Sequence, residues 1–271
     1  MHIEKKPKIY HDTASMSDLV KLIRSDDDIK QAVNEWCEDS EKATLKYGHI
    51  SHWDTSKVTN MKELFKGMKD FDEDISRWNT SCVHNMAYMF CEACSFNKPL
   101  EKWDVSNVTT MEGMFEKATT FNQSLERWNV SNVTSMKIMF RIAACFNQSL
   151  GRWDISNVST MENMFFSASS FNQSLEQWNV SNVTSMEGMF RRASCFNQPL
   201  EYWNVTNVTN MKSIFQEAYC FNQTLEKWNI SNVKYSEDMF KDAIRFNQSS
   251  DKWNLLNARV RIRKYVDNGD Y

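Results

Sequence analysis

The chain has 271 residues, of which 41% are hydrophobic and 25% charged, a balance typical of folded proteins and one that excludes extensive disorder. Its net charge of −3 supplies no global field to gather nucleic acid or an anionic membrane surface. No stretch approaches the ~20 consecutive apolar residues that would cross a bilayer, so neither a nucleic-acid partner nor a membrane span is expected.

The basic opening, residues 1–15, is followed by no apolar run of the kind a secretory signal needs. Seven cysteines make an odd count, and three of them, Cys145, Cys195 and Cys220, stand where other copies of one register carry Ser95, Thr120 and Ser170. That position asks for a small side chain, with Cys195 and Cys220 the one pair on adjacent turns. Reduced thiols and a cytoplasmic setting are the expectation. Residues 1–50 carry two helical spacings, over 17–23 and over 28–37, the second with Ile29, Ala32, Val33 and Trp36 on one face. This face suits a helical cap over the first turn of a stacked array, and Gly48 closes the segment.

From Trp53 onwards an indole returns every 25 residues, at Trp78, Trp103, Trp128, Trp153, Trp178, Trp203, Trp228 and Trp253. Self-similarity at such a period marks a repeat array, here eight repeats and a partial ninth over residues 51–257. Within one unit, Leu100, Trp103 and Val105 alternate with Lys102, Asp104 and Ser106, which predicts a short strand with the apolar set facing in. The spacing then changes. Val108, Met111, Met114, Phe115 and Ala118 recur at helical intervals, and Thr109 with Glu112 has the form of a capping box, so a helix of about three turns is expected next.

The return, Phe121-Asn122-Gln123-Ser124, places a phenyl at the corner of the coil. Its asparagine is suited to bond backbone groups of neighbouring turns, and the column through Asn107, Asn132, Asn157, Asn182, Asn207 and Asn232 is expected to do the same from buried positions. The methionine columns through Met111 and Met114 share the helix face with Phe115, where sulfur-aromatic packing makes them core. At the end the pattern decays, with Ser236, Ser250 and Ala258 in apolar slots. The tail, residues 258–271, alternates Val260 and Ile262 with arginines and is expected to add a covering strand, the other reading of its cations being a phosphate contact.

The unit resembles the leucine-rich repeat L-x-x-L-x-L, with Leu100, Trp103 and Val105 in its first three apolar slots. Residues 103–115, WDVSNVTTMEGMF, followed by FNQSLERW at 121–128, are similar to the repeat of the BspA-type leucine-rich-repeat surface proteins. The resemblance extends to the entry segment, residues 32–37 and 46–56. It implies an α/β fold, a right-handed solenoid with one short parallel β-strand and one short α-helix per 25-residue repeat behind a helical N-terminal cap. It also implies binding of partners, and a cell-surface or virion location as the alternative to the cytoplasm.

Catalysis needs unlike groups converging on one point, and this chain offers like groups in rows. His49 and His52 lack further ligands, Cys91 and Cys94 lack a second pair, and six glycines leave little material for a phosphate loop. No catalytic, cofactor or metal residues are expected, and the chain reads as a non-enzyme. What remains is the strand face, where Arg77, Lys102, Arg127, Arg152, Gln177, Tyr202, Lys227 and Lys252 form one outward column. Asp104 and Asp154 stand in the next, and an acidic row through Glu101, Glu126, Glu176, Glu201 and Glu226 runs alongside. This face is the candidate surface for a protein or glycan partner, with self-association into a coat or virion structure as the alternative.

Overall fold

A computed structural model describes residues 22–248. Strands and helices alternate at its start: β1 (Ile23–Ser25), α1 (Ile29–Glu38), α2 (Ser40–Tyr47), a 3-10 turn (Ile50–His52) and β2 (Asp54–Lys57). β1 and β2 make a small parallel sheet, pairing Ile23 with Asp54 and Ser25 with Lys57. α1 buries Ile29, Ala32, Val33 and Trp36, the face expected from the sequence. Trp36 meets Trp53 edge-on with centroids 6.2 Å apart, so the cap sits directly on the first indole. Two details differ from expectation. Ile23 belongs to a strand, and α2 went unforeseen because only Ala43 and Tyr47 of its residues are buried, too few for a visible stripe.

Beyond β2 the chain is a stack of repeated coils held together copy to copy. Single parallel bridges run Asn60–Asn85–Thr110–Ser135–Thr160–Ser185–Asn210–Tyr235, one per 25 residues. The apolar columns stack beneath them. Trp128 and Trp153 lie parallel at 6.4 Å, Phe140 and Phe165 at 5.7 Å, and Phe146 and Phe171 at 6.1 Å. The indole N–H of each column tryptophan from Trp53 to Trp228 is also bonded, as where Trp153 Nε1 donates to the Leu125 carbonyl at 2.9 Å. A buried aromatic contributes about 1.5–3 kcal/mol by leaving water, so these columns dominate the stability of every coil.

Beyond β2, which is the strand of the first repeat, the expected α-helix and strand of each repeat are absent among the described residues. Over 136–143, alternate amides donate to the next coil: Met136 to Thr160, Ile138 to Glu162, Phe140 to Met164 and Ile142 to Phe166. The intervening amides close tight turns, Met139 to Met136, Arg141 to Ile138 and Ala143 to Phe140. Every fourth residue takes a left-handed φ, 51° at Ile138 and 61° at Ile142, with Gly113 at 59° and Gly188 at 60° in other copies. A helix cannot pass through such residues, since its bonds need a continuous run of negative φ. The apolar spacing is nonetheless shared: Met111, Met114, Phe115 and Ala118 are all fully buried, as they would be on one face of a helix.

The capping box is replaced by a ladder. The Thr109 hydroxyl donates to the His84 carbonyl at 3.2 Å, Ser159 to Thr134 and Thr184 to Ser159 in the same way. The predicted strand at 103–106 keeps its alternation, with Trp103 and Val105 inside and Lys102 and Asp104 outside, but lies between turns closed by Trp103 N–H to Leu100 and Val108 N–H to Val105. Asp104 bends the chain there by accepting the Ser106 amide at 3.0 Å, a local bond that competes with any strand ladder.

The first coil has no predecessor to receive its amides. Asp26 substitutes for one, its carboxylate accepting Thr59 N–H at 2.8 Å and Asn60 N–H at 3.1 Å, where the later His84 N–H uses the Thr59 carbonyl. Partial burial acts against the charge, but the Thr59 hydroxyl and the two amides hold the carboxyl below its ordinary range. The expectations for Ser250, Lys252, Trp253, residues 17–21, the partial ninth repeat and the tail 258–271 lie outside the described residues.

The left-handed positions give a test of the ladder. Ser167 has φ 55°, a conformation that costs an L-residue roughly 1–2 kcal/mol and glycine nothing. Ser167→Gly is therefore expected to raise stability by about 1 kcal/mol in urea titration; a loss of that size would instead fit a helix.

Candidate partner-binding face

The indole turn that buries Trp103 leaves its preceding residue outside, and the same geometry exposes Arg77, Lys102, Arg127, Arg152, Gln177, Tyr202 and Lys227 in one row. Alternation in the sequence places these side chains correctly. Their neighbours are set by the stack: Arg127 reaches Glu101 at 3.3 Å, Arg152 reaches Glu126 at 3.4 Å and Lys227 reaches Glu201 at 3.6 Å, each pairing with the previous coil. Such exposed pairs are worth ~0–1 kcal/mol each, so they neutralise the face more than they hold it together. Arg77 and Lys102, whose acid-column positions are Ser51 and Ser76, have no ion pair among the described residues.

Tyr202 is 66% exposed, and the Lys227 ammonium lies 3.9 Å from its ring centroid. Tyr202 and then Glu201 raise the affinity of that ammonium for its proton. Asp104 and Asp154 are engaged locally. Asp104 accepts the Ser106 hydroxyl at 2.6 Å as well as its amide, Asp154 accepts the Ser156 amide at 3.0 Å, and these serine bonds hold both carboxyls below the usual range.

Both asparagine columns bond the neighbouring coil. Asn107 Nδ2 donates to the Ser81 carbonyl at 2.7 Å and Asn132 to Ser106 at 2.6 Å, although these residues are exposed where burial was expected. The other column receives: Asn147 Oδ1 accepts Asn172 N–H at 2.9 Å and Gln173 Nε2 at 3.1 Å. Their amides are thereby committed to the stack.

A second charged surface, on the turn ladder, escaped the sequence reading because its columns were assigned to a helix. There Arg192 pairs with Glu217 at 2.9 Å and Lys137 with Glu162 at 2.9 Å, while Arg141 and Arg191 lie on either side of Phe166 at 5.2 and 5.3 Å. A register offset of 25, counted across the ladder, would have found it.

Among the described residues the thiols and imidazoles do not converge. All seven cysteines are free, Cys195 and Cys220 included, and burial pushes the Cys91 thiol up to about 12 with Glu116 adding to the shift. His49 and His52 have centroids 5.9 Å apart, but no group of three metal-ligating side chains exists among the described residues. No helix of the described residues is long and apolar enough to cross a membrane.

Bridged coils, amide columns and an ordered exterior define a repeat protein. The chain belongs to the DUF285 family, described as a Mycoplasma protein of unknown function, which matches in three overlapping stretches over residues 32–153, 101–202 and 170–265. No curated protein matches the chain.

Proposed function

We propose that the chain is a right-handed, leucine-rich-repeat-like solenoid of the BspA type, acting as a non-enzymatic scaffold that captures a protein or glycan partner on the row from Arg77 to Lys227. The observation that carries the proposal is Tyr202, a large aromatic side chain 66% exposed amid a row of charges. Burying an exposed tyrosine yields contact area at low entropic cost, which is why this residue type dominates binding hot spots. Support comes also from what the rest of the coil is committed to. Apolar columns fill the core and amide columns join the coils, leaving the ends of the outward row to meet a partner.

The triple variant Arg152→Ala, Tyr202→Ala, Lys227→Ala is the test. Because the three side chains are exposed, its melting temperature should change little. Partners retained by the wild-type chain in quantitative affinity capture and on a glycan array should be lost from the variant. Unchanged capture by a folded variant overturns the reading.

A further inference from the structure

Within the part of the outward row that faces glutamates, from Glu101 onwards, three successive coils depart from the pairing, and they depart together. Arg127, Arg152 and Lys227 each pair with the glutamate of the coil before, Glu101, Glu126 and Glu201, whereas Arg77 and Lys102 at the start of the row face Ser51 and Ser76. Between the Arg152 and Lys227 pairs the glutamate position is Gly151, the cation positions are Gln177 and Tyr202, and Glu176, which would face a cation, faces Tyr202 instead. Glu176 has no ion pair among the described residues.

Gly151 is the informative member. Gly48, Gly67, Gly113 and Gly188 all occupy left-handed φ, where a side chain is strained, and Gly151 does not. Its backbone therefore does not demand glycine. A Cβ there would meet the Ser174 carbonyl at 3.3 Å, a tight contact, but Glu101, Glu126, Glu176, Glu201 and Glu226 occupy this register in other copies. Glycine thus leaves a notch in the acidic row, one coil before Gln177 and two before the exposed Tyr202.

Resting on the scaffold reading, we infer that the notch formed by Gly151, Gln177 and Tyr202, with Glu176 at its edge, is a subsite for a neutral oligosaccharide. The chemistry of the four positions matches such a ligand. A pyranose presents a face of C–H bonds that packs on the electron-rich face of an aromatic ring, and the Tyr202 ring is 66% exposed with Lys227 on one side. Its hydroxyls both donate and accept. The Gln177 amide offers one group of each kind, and the Glu176 carboxylate accepts. An uncharged ligand also needs no counter-charge. It would bind where the row has lost its ion pairs, whereas an anionic one would prefer Arg77 and Lys102, the cations without carboxylate partners.

The test uses the full chain and neutral hexasaccharides of glucose, mannose and N-acetylglucosamine, with a sulfated hexasaccharide for contrast, followed by titration calorimetry and saturation-transfer NMR. At least one neutral hexasaccharide should bind, and Tyr202→Ala should weaken it tenfold or more. Gly151→Glu, which refills the acidic row, should do the same, with Gln177→Ala in reserve if that variant fails to fold; Lys30→Ala, an exposed change on α1 away from the row, should alter affinity less than twofold. The inference is overturned if no neutral sugar binds, if only the sulfated one does, or if binding survives both Tyr202→Ala and the notch variant. If the sugars fail but a polypeptide is captured in a manner that needs Tyr202, this inference fails and the scaffold reading stands.

Discussion

Phe165→Ala is expected to destabilise the protein by about 3–5 kcal/mol, the range for removing a fully enclosed phenyl ring. Phe165 is completely buried, packs on Phe171 at 4.0 Å, and lies between Phe140 at 5.7 Å and Phe190 at 5.8 Å. The surroundings have little freedom to close over the gap. The Phe165 amide is bonded to Met189 and the Met164 carbonyl to Phe140, each at 2.9 Å, so the backbone is pinned from both neighbouring coils. In a linear array each coil is supported only by its neighbours, and a defect near the middle weakens the coupling between the two halves. Urea titration followed by tryptophan fluorescence should show a lower midpoint and a broadened or two-step transition. A loss under 1.5 kcal/mol would mean that the phenyl column is not what holds the coils together.

Gly113→Ala should cost about 2–4 kcal/mol, and its sign separates two pictures of the repeat. Gly113 has φ 59°, and a Cβ there would stand 2.5 Å from two ring carbons of Tyr88 in the previous coil. Two penalties combine, roughly 1–2 kcal/mol for the left-handed conformation and about 1–3 kcal/mol for overpacking. Tyr88 cannot swing away freely because its hydroxyl donates to Glu112 at 2.7 Å. In an α-helix the same substitution would stabilise, since alanine is the better helix former by about 1 kcal/mol. The double variant Tyr88→Ala, Gly113→Ala should recover part of the loss, because the clash goes while the backbone strain stays. Stabilisation by the single change would refute the turn ladder.

Ion pairing on the outward row shows a similar division between what alternation reveals and what stacking adds. That Arg152 is exposed follows from its place beside Trp153. That its charge is met by Glu126 depends on how far one coil is offset from the next, a quantity the spacing of indoles leaves open. Gly151 carried no signal when the row was read as a column of cations, because a missing side chain matters only once its neighbours are known to be Gln177 and Tyr202.

The sequence by itself determined the period, the residues that face inward and the amides that join the coils, because each depends on side-chain polarity repeated in register. It could not determine the backbone path between Met136 and Ala143. Inward spacings of three and four serve an α-helix and a run of tight turns equally, and isolated Ile138 or Ile142 would avoid a positive φ. Only in the stack do the amides of Ile138 and Ile142 find the carbonyls of Glu162 and Phe166, and those bonds between coils offset the local strain. The choice of conformation therefore belongs to the assembled array, where each coil supplies the hydrogen-bond partners that its neighbour lacks.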